Sequence, residues 1–281
     1  MSVELKSLDL EAVKVLTFWI KEREAIRERR ALGLLPPWTD DSILANYRFC
    51  NVRREDDKVT QWISRHWRTP YRNSRNLTAA LVLARMLNNP DTLEAIEFPV
   101  NWDTFQISYN IKARRAIGYK ILNPAYLITT CGVKMDKVDY IVNVADSVWE
   151  SRMQPVIGDT LEYFHSKLMM IKGLGNFLAA QVVADLKHTP SNPLIAALDF
   201  MSWAAPGPGS LKGLRYVLGG LDVSERSFLP LATAVYLRIK DDLDMPPLEM
   251  QDFQNCLCEF SKYWKTHKGY GKPKQRYSPN R

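Results

Sequence analysis

The sequence predicts an all-α protein, and three observations carry that prediction. Apolar residues recur at three- and four-residue spacing along most of the 281 residues, the period of a helix with one buried face. Strand signals are few: the chain has no Asn-Gly hairpin and no sustained apolar–polar alternation. The composition, 46% hydrophobic and 25% charged, is that of a folded globular chain long enough to bury a core without disulfides or metals.

Taken in order, residues 9–30 form an amphipathic helix ending in the charge-dense KEREAIRERR, where Glu and Arg pair at three- and four-residue spacing. The Pro36–Pro37 pair ends that unit. DDSILANYRF then places acids at the start of a new helix. Segments near 55–67, 74–88, 102–117 and 134–152 repeat the pattern, with a short extended piece allowed in FPVNWDTFQIS. Residues 158–171 and 176–187 make a helical pair, and later helices fill 194–204, 210–218, 226–240 and 247–265. No internal repeat or low-complexity linker interrupts them. The Pro/Gly stretch at 206–209 is too short to divide domains. The expected organisation is one helical unit over residues 1–264, open to two lobes around a cleft, followed by a basic tail over 265–281.

Composition removes several function classes. No uncharged apolar run reaches the roughly 18 residues of a membrane helix. The first residues, MSVELKSLDLEAVK, carry acids and lack the apolar stretch of a secretory signal. Four cysteines fit a reducing compartment, and neither Cys256/Cys258 nor the scattered His66, His165, His188 and His267 has metal-site spacing. Net charge is +7, and its placement is informative: residues 265–281 hold six Lys or Arg and no acid. Tyr270 and Tyr277 interleave with those bases, which favours a nucleic-acid contact over a membrane surface. Lys268, Lys272, Lys274 and Arg276 are the tail's candidate phosphate contacts. A solubilising end is the alternative.

The most informative stretch is LEYFHSKLMMIKGLGNFLAAQVVADLKH. It reads as a helix, the bend Lys172-Gly173-Leu174-Gly175, and a second helix. Two glycines two apart permit a tight reversal, and Leu174 between them can lock the helices together. Backbone amides from Gly175 through Asn176 and Phe177 then lie at a helix N-terminus, where a phosphate can bind. A plain αα-hairpin with a glycine cap is the structural alternative. Asp199 follows 24 residues after Gly175 in the otherwise apolar NPLIAALDFMSW. A carboxylate among Leu198, Phe200 and Trp203 is costly to bury unless it caps a helix, pairs with a base or takes part in chemistry.

This arrangement resembles the helix-hairpin-helix DNA glycosylases. In that superfamily a Gly-hydrophobic-Gly hairpin grips the DNA backbone, and an aspartate some twenty residues on faces a pocket for an extruded base. Asp199 stands in that place. Phe177 stands where bifunctional members carry lysine, so no Schiff base is implied, and there is no iron–sulfur cysteine set.

Three further stretches narrow the resemblance: NYRFCNVRREDDKVTQWI at 46–63, AAPGPGSLKGL at 204–214, and QNCLCEFSKY at 254–263, followed by GKPKQRY. With the hairpin, these four ordered blocks resemble the alpha-glutamyl/putrescinyl thymine pyrophosphorylases, the amino acid:DNA transferases of phage thymine hypermodification. A related helical domain is attached to 5-hydroxymethyluracil DNA kinases. The resemblance covers residues 40–280. It implies an enzyme that replaces pyrophosphate on a modified thymine in DNA with an amino acid or polyamine, after a separate kinase has phosphorylated 5-hydroxymethyluracil. No P-loop occurs in this chain, consistent with a separate kinase. Localisation would be the cytoplasm of the phage's host. No cofactor is implied; magnesium is compatible with a departing pyrophosphate, although no carboxylate cluster demands it.

The same resemblance assigns substrate and pyrophosphate contacts. Arg48, Asn51, Arg54 and Asp57 come from the first block, with Arg54 and Asp57 expected on one helix face. Gly207, Gly209, Ser210 and Lys212 come from the second, as a glycine loop ending at Ser210 as N-cap. Gln254, Asn255, Glu259 and Lys262 come from the third, where Glu259, Lys262 and Tyr263 share a helical side. Two departures stand out: Ser261 replaces an acid usual in the family, and Asn123-Pro124-Ala125-Tyr126 replaces a Gly-Ala-Tyr turn. Chemistry on a base inside a duplex requires its extrusion. Asp199 is the expected proton acceptor for the amine, Arg48, Arg54 and Lys212 the expected partners of the departing phosphates, and Tyr47, Trp67, Tyr71 or Trp203 the expected stacking groups. A monofunctional glycosylase and a non-catalytic DNA-binding subunit are the competing readings.

Overall fold

The computed structural model describes residues 8–123, 128–271, 273 and 275–277. The regular secondary structure among the described residues is helical, apart from one isolated antiparallel bridge between Tyr47 and Arg276. In chain order the helices are α1 (Leu10–Ala31), α2 (Ser42–Asn46), α3 (Lys58–Ile63), α4 (Leu77–Leu87), α5 (Pro90–Ile96), α6 (Thr104–Ala116), α7 (Lys137–Glu150), α8 (Leu161–Met169), α9 (Asn176–Lys187), α10 (Pro208–Val217), α11 (Glu225–Ile239) and α12 (Met250–His267). The chain divides into two compact units. The first comprises residues up to Asp57 together with those from Met201 onward; the second is Lys58–Phe200.

The first unit is built around α12. Phe253, Leu257, Phe260 and Trp264, spaced as one helical stripe, are buried against Leu16, Trp19 and Ile20 of α1, Leu214 and Val217 of α10, and Phe228, Val235 and Ile239 of α11. Each such side chain contributes roughly 1.5–3 kcal/mol on burial. Two glycines four apart let α10 lie against α12. A Cβ on Gly213 would fall on the Leu257 carbonyl oxygen, and one on Gly209 on the Cys258 sulfur.

The second unit is built around α4, whose residues from Leu77 to Leu87 are all buried. A helix apolar on every side belongs at a centre, and α7 and α9 pack on it. The one strong base in this helix, Arg85, is matched by Asp185 of α9: Nε to Oδ2 at 2.6 Å and Nη2 to Oδ1 at 2.5 Å. Arg68 approaches the same carboxylate at 3.4 Å, and all three side chains are buried.

Two expected helices differ. The one near 55–67 is broken: Arg54–Asp56 is a 3-10 turn, Asp57 is extended at ψ 134°, and α3 starts only at Lys58. Residues 194–204 are not a helix. A short 3-10 turn, Pro193–Ala196, starts on the Asn192 side chain and ends at Ala197, which is extended at ψ 134°. Asp199 is held elsewhere by its carboxylate, which keeps this stretch from continuing as a helix. Conversely, α5 was not anticipated, although Asn89 caps Thr92 N and Pro90 sits in the first turn, both readable start signals. The short extended piece allowed within 98–108 does not form a strand: loop residues lead to Asp103, the N-cap of α6, and the rest is helix.

Candidate functional site

In the second unit, the Gly-Leu-Gly bend joins α8 to α9. Gly173 adopts φ +100°, and a Cβ there would meet Val144 of α7 at 2.5 Å, so both conformation and packing require glycine. Leu174 is buried, as expected of a locking residue, and Gly175 is the N-cap of α9. Asn176 opens α9, and its carbonyl lies 3.0 Å from His165 Nε2 of α8. Burial lowers the His165 pKa, which favours the neutral ring. Lys172 and Gly175 are exposed, so the bend faces solvent.

Asp199 stands at the other end of α8. Its Oδ1 accepts from Leu161 N at 2.7 Å and its Oδ2 from Glu162 N at 3.0 Å. Thr160 Oγ1 accepts from Tyr163 N at 3.1 Å, so three consecutive first-turn amides are satisfied. The carboxylate is therefore a helix cap, the alternative that its sequence position left open. It is half-buried, and each oxygen retains a further lone pair. Nine helical residues separate bend from acid by about 12 Å, so the two cannot serve one phosphate.

In the first unit, residues 46–57 of the first block and the second block both meet the third: the second through Gln254 and Ser210, the first through Asn51. Asn51 Oδ1 accepts from Arg23 at 2.5 Å, its Nδ2 donates to Asp56 O at 2.6 Å, and its carbonyl accepts from Asn255 Nδ2 at 3.1 Å. Glu259, buried on α12, accepts from Cys50 N at 3.2 Å and pairs with Lys262 at 2.5 Å. Burial lowers the Lys262 pKa, but Glu259, by charge and hydrogen bond, raises it more, so the ammonium is held above its ordinary value. Tyr263 donates to Asp41 at 2.7 Å; burial and that bond push its phenol upward. Arg54 N donates to Asp252 Oδ1 at 2.9 Å.

Two assignments change. Arg54 and Asp57 do not share a helix face: Arg54–Asp56 is one 3-10 turn, and Asp57 is its extended cap at ψ 134°. Ser210 is not the N-cap of α10. Gly207 is, and Ser210, three positions on, accepts from Gly207 N at 2.9 Å and from Gln254 Nε2 at 3.0 Å. With Gly207 N engaged and Pro208 lacking an N–H, a pyrophosphate cradle here would draw on the amides of Gly209 and Ser210. The close approach of Gly209 to Cys258 gives that glycine a packing reason as well. Arg48 and Lys212 are exposed; Lys212 lies 5.9 Å over the Tyr216 ring.

Sequence reasoning missed Arg23. It sits in the charge-dense end of α1 yet is buried, with Nε on Cys50 O at 3.0 Å. Burial, then Arg30, lowers its pKa. The signal was present: Arg23 continues the Trp19–Ile20–Ile26 stripe. Among the described residues Arg23 Nη1, Glu24 Oε2 and Trp19 Nε1 are buried without a partner.

The tail is not a free appendage over its whole length. α12 runs to His267, Lys268 pairs with Glu11 at 2.6 Å, and the Tyr47–Arg276 bridge is flanked by Arg48 N to Gln275 O and Tyr277 N to Asn46 O. A polar cavity of about 750 Å³ lies there, lined by Asp41, Tyr47, His267, Arg276 and Tyr277 among others. Lys272, Lys274 and the Pro124–Tyr126 stretch lie outside the described residues. Of the expected stacking aromatics, Trp67 and Trp203 are buried, and Tyr71 stacks on Phe98 at 3.9 Å; Tyr47 is half-buried beside the cavity. No group of three or more His, Cys, Asp or Glu among the described residues is placed to hold a metal, and no described helix is long and apolar enough to cross a membrane.

The chain is an all-α module with an exposed glycine bend at one end of α8 and a capping aspartate at the other. The chain belongs to the family described as the 5-hmdU DNA kinase helical domain, whose model matches residues 10–272. A 5-hmdU DNA kinase of Bacillus phage SP10 is 26% identical over 291 residues, covering 89% of this chain and 45% of the relative. The chain thus spans less than half the length of that curated relative. No solved structure matches it.

Proposed function

We propose that this chain acts on DNA containing 5-hydroxymethyluracil, as the helical module that handles the modified base, and that it replaces pyrophosphate on that base with an amine. The observation that carries the reading is the family match along nearly the whole chain, in a chain without a P-loop of its own. A separate kinase then supplies the pyrophosphorylated base. The exposed Lys172–Gly175 bend and the basic residues of the tail support a grip on the sugar–phosphate backbone.

In the proposed reaction the bond from the exocyclic methylene to the pyrophosphate oxygen breaks, and the electron pair leaves with pyrophosphate. Electron flow from the uracil ring assists and leaves an electrophilic methylene. A neutral amine attacks, the C–N bond forms, and its proton passes to Asp199. No resident cofactor is needed for these steps.

The test is incubation with DNA bearing pyrophosphorylated 5-hydroxymethyluracil and a mixture of amino acids and polyamines, followed by mass spectrometry of the nucleosides. An amine-substituted thymine supports the reading and identifies the donor. Release of free base would instead make the protein a glycosylase. Salt-sensitive DNA binding with no product would make it a non-catalytic binding module, a reading that the capping role of Asp199 favours.

A further inference from the structure

In the second unit, α6 is apolar on two sides. Ile107 and Ile111 are its buried residues and face inward. The opposite side carries Phe105, Tyr109, Ala113 and Ala116, all exposed and spaced by four, four and three residues, which places them on one helix face. Phe105 is 79% exposed and Tyr109 60%, and their rings stack 6.4 Å apart at 18°, so both side chains lie along a single stripe. Ile117, the residue after the helix, is exposed too. Scattered exposed apolar residues are ordinary, but a continuous stripe along one helix marks a surface for a partner.

The charges around the stripe narrow the choice of partner. Every cation within α6 is committed: Lys112 pairs with Asp139, Arg115 pairs with Asp136 at 2.9 Å, and Arg114 lies 4.3 Å over the Tyr119 ring. α5 packs against α6 and brings the exposed acids Asp91 and Glu94, followed by exposed Glu97. This surroundings suits a protein and repels a polyanion.

A second copy of the chain fits on two counts. The stripe is large in its first half, Phe105 and Tyr109, and small in its second, Ala113 and Ala116. The pairs 105/116 and 109/113 are both centred at positions 110–111 of α6. Turned end for end about a twofold axis there, Phe105 of each copy falls on Ala116 of the other and Tyr109 on Ala113. The ends match in charge as well. Asp103, the exposed N-cap, comes to the end that carries exposed Lys120, and the antiparallel helix dipoles attract. We propose that the chain pairs with a second copy of itself through α6, as a twofold dimer in which the aromatic half of each stripe packs on the alanine half of the other. One helix face per copy is a small interface, so the dissociation constant falls in the micromolar range, about 10 µM.

Sedimentation equilibrium of the full chain, at concentrations spanning that value, measures the pairing. The wild type should pass from the mass of one chain to that of two. Phe105→Glu/Tyr109→Glu, altered only at exposed side chains, should keep the wild-type helicity and melting temperature and raise the dissociation constant at least about tenfold. Ala113→Leu/Ala116→Leu enlarges the apolar surface but fills the small half of the stripe. It should weaken the pairing about tenfold, whereas an indiscriminately adhesive patch would associate more strongly. A glutamate variant that still dimerises like the wild type, or a leucine variant that pairs more tightly, overturns the proposal. A wild type that keeps the mass of one chain at about 100 µM overturns it too and leaves the stripe to a different protein. None of these outcomes bears on the DNA-directed reading.

Discussion

Replacing Asp199 with asparagine separates the structural role of this residue from its proposed chemical one. Asp199 satisfies two amides of α8, at 2.7 Å and 3.0 Å. An asparagine oxygen can keep the shorter bond, to buried Leu161. Its NH2 group would then face the amide of Glu162, which is exposed and can turn to water. Thr160 still caps Tyr163 N. The loss is one partial cap, about 1 kcal/mol, or about 2–4 °C in Tm for a chain of this size. The folded fraction at room temperature is then unchanged. Removing a general base slows a reaction by about 10²- to 10⁴-fold. Asp199→Asn should therefore melt within a few degrees of the wild type, bind DNA with the same affinity, and lose amine transfer by that factor in the nucleoside mass-spectrometric assay. Transfer within tenfold of wild type would refute the proton-acceptor role. A melting point far below the expected range, with DNA binding lost too, would show that the cap is all that Asp199 provides.

Asp185→Asn should cost far more stability, about 3–5 kcal/mol, because it leaves Arg85 and Arg68 buried against a neutral group; a calorimetric Tm drop of only a degree or two would refute this. Gly213→Ala should destabilise by about 1–3 kcal/mol or more, since the added methyl meets the Leu257 carbonyl and backbone cannot easily yield; an unchanged denaturant midpoint would contradict the close α10–α12 approach. Among the thiols, Cys131 should react first with Ellman's reagent near neutral pH. The hydrogen bond from Tyr140, then that with Thr129, lowers its pKa, so its thiolate is already populated at a lower pH than that of an ordinary cysteine. Burial pushes Cys256 well up and Cys258 up to about 11, and burial followed by the charge of Glu259 pushes Cys50 up. Survival of the fast phase in Cys131→Ser would overturn this order.

Local pattern carried the helices well where the buried face was wide and the caps were ordinary. α9 begins and ends at the expected residues, and α1 is displaced by one residue at each end, because Asp9 caps Ala12 N and the apolar stripe fixes the inward face. The pattern failed at 194–204, where apolar composition mimicked a helix. What holds that stretch open is a carboxylate bonded to residues 161 and 162, nearly forty positions away. It also misjudged Arg23 and the glycines of α10, whose meaning depends on the neighbours they meet.

The amino-acid order determines the helical class, the glycine bend, the basic end and the family blocks, since each is a property of a short window: periodicity, turn chemistry, charge density or motif spacing. Only the tertiary structure decides that residues up to Asp57 and from Met201 onward form one unit. The same is true of the meeting of the first and third blocks at Asn51 and Glu259, of the capping role of Asp199, and of the exposure of Phe105 and Tyr109. Those outcomes depend on contacts between segments far apart in sequence, and a side chain's partner and exposure are set by what folds against it rather than by the residues beside it in the chain.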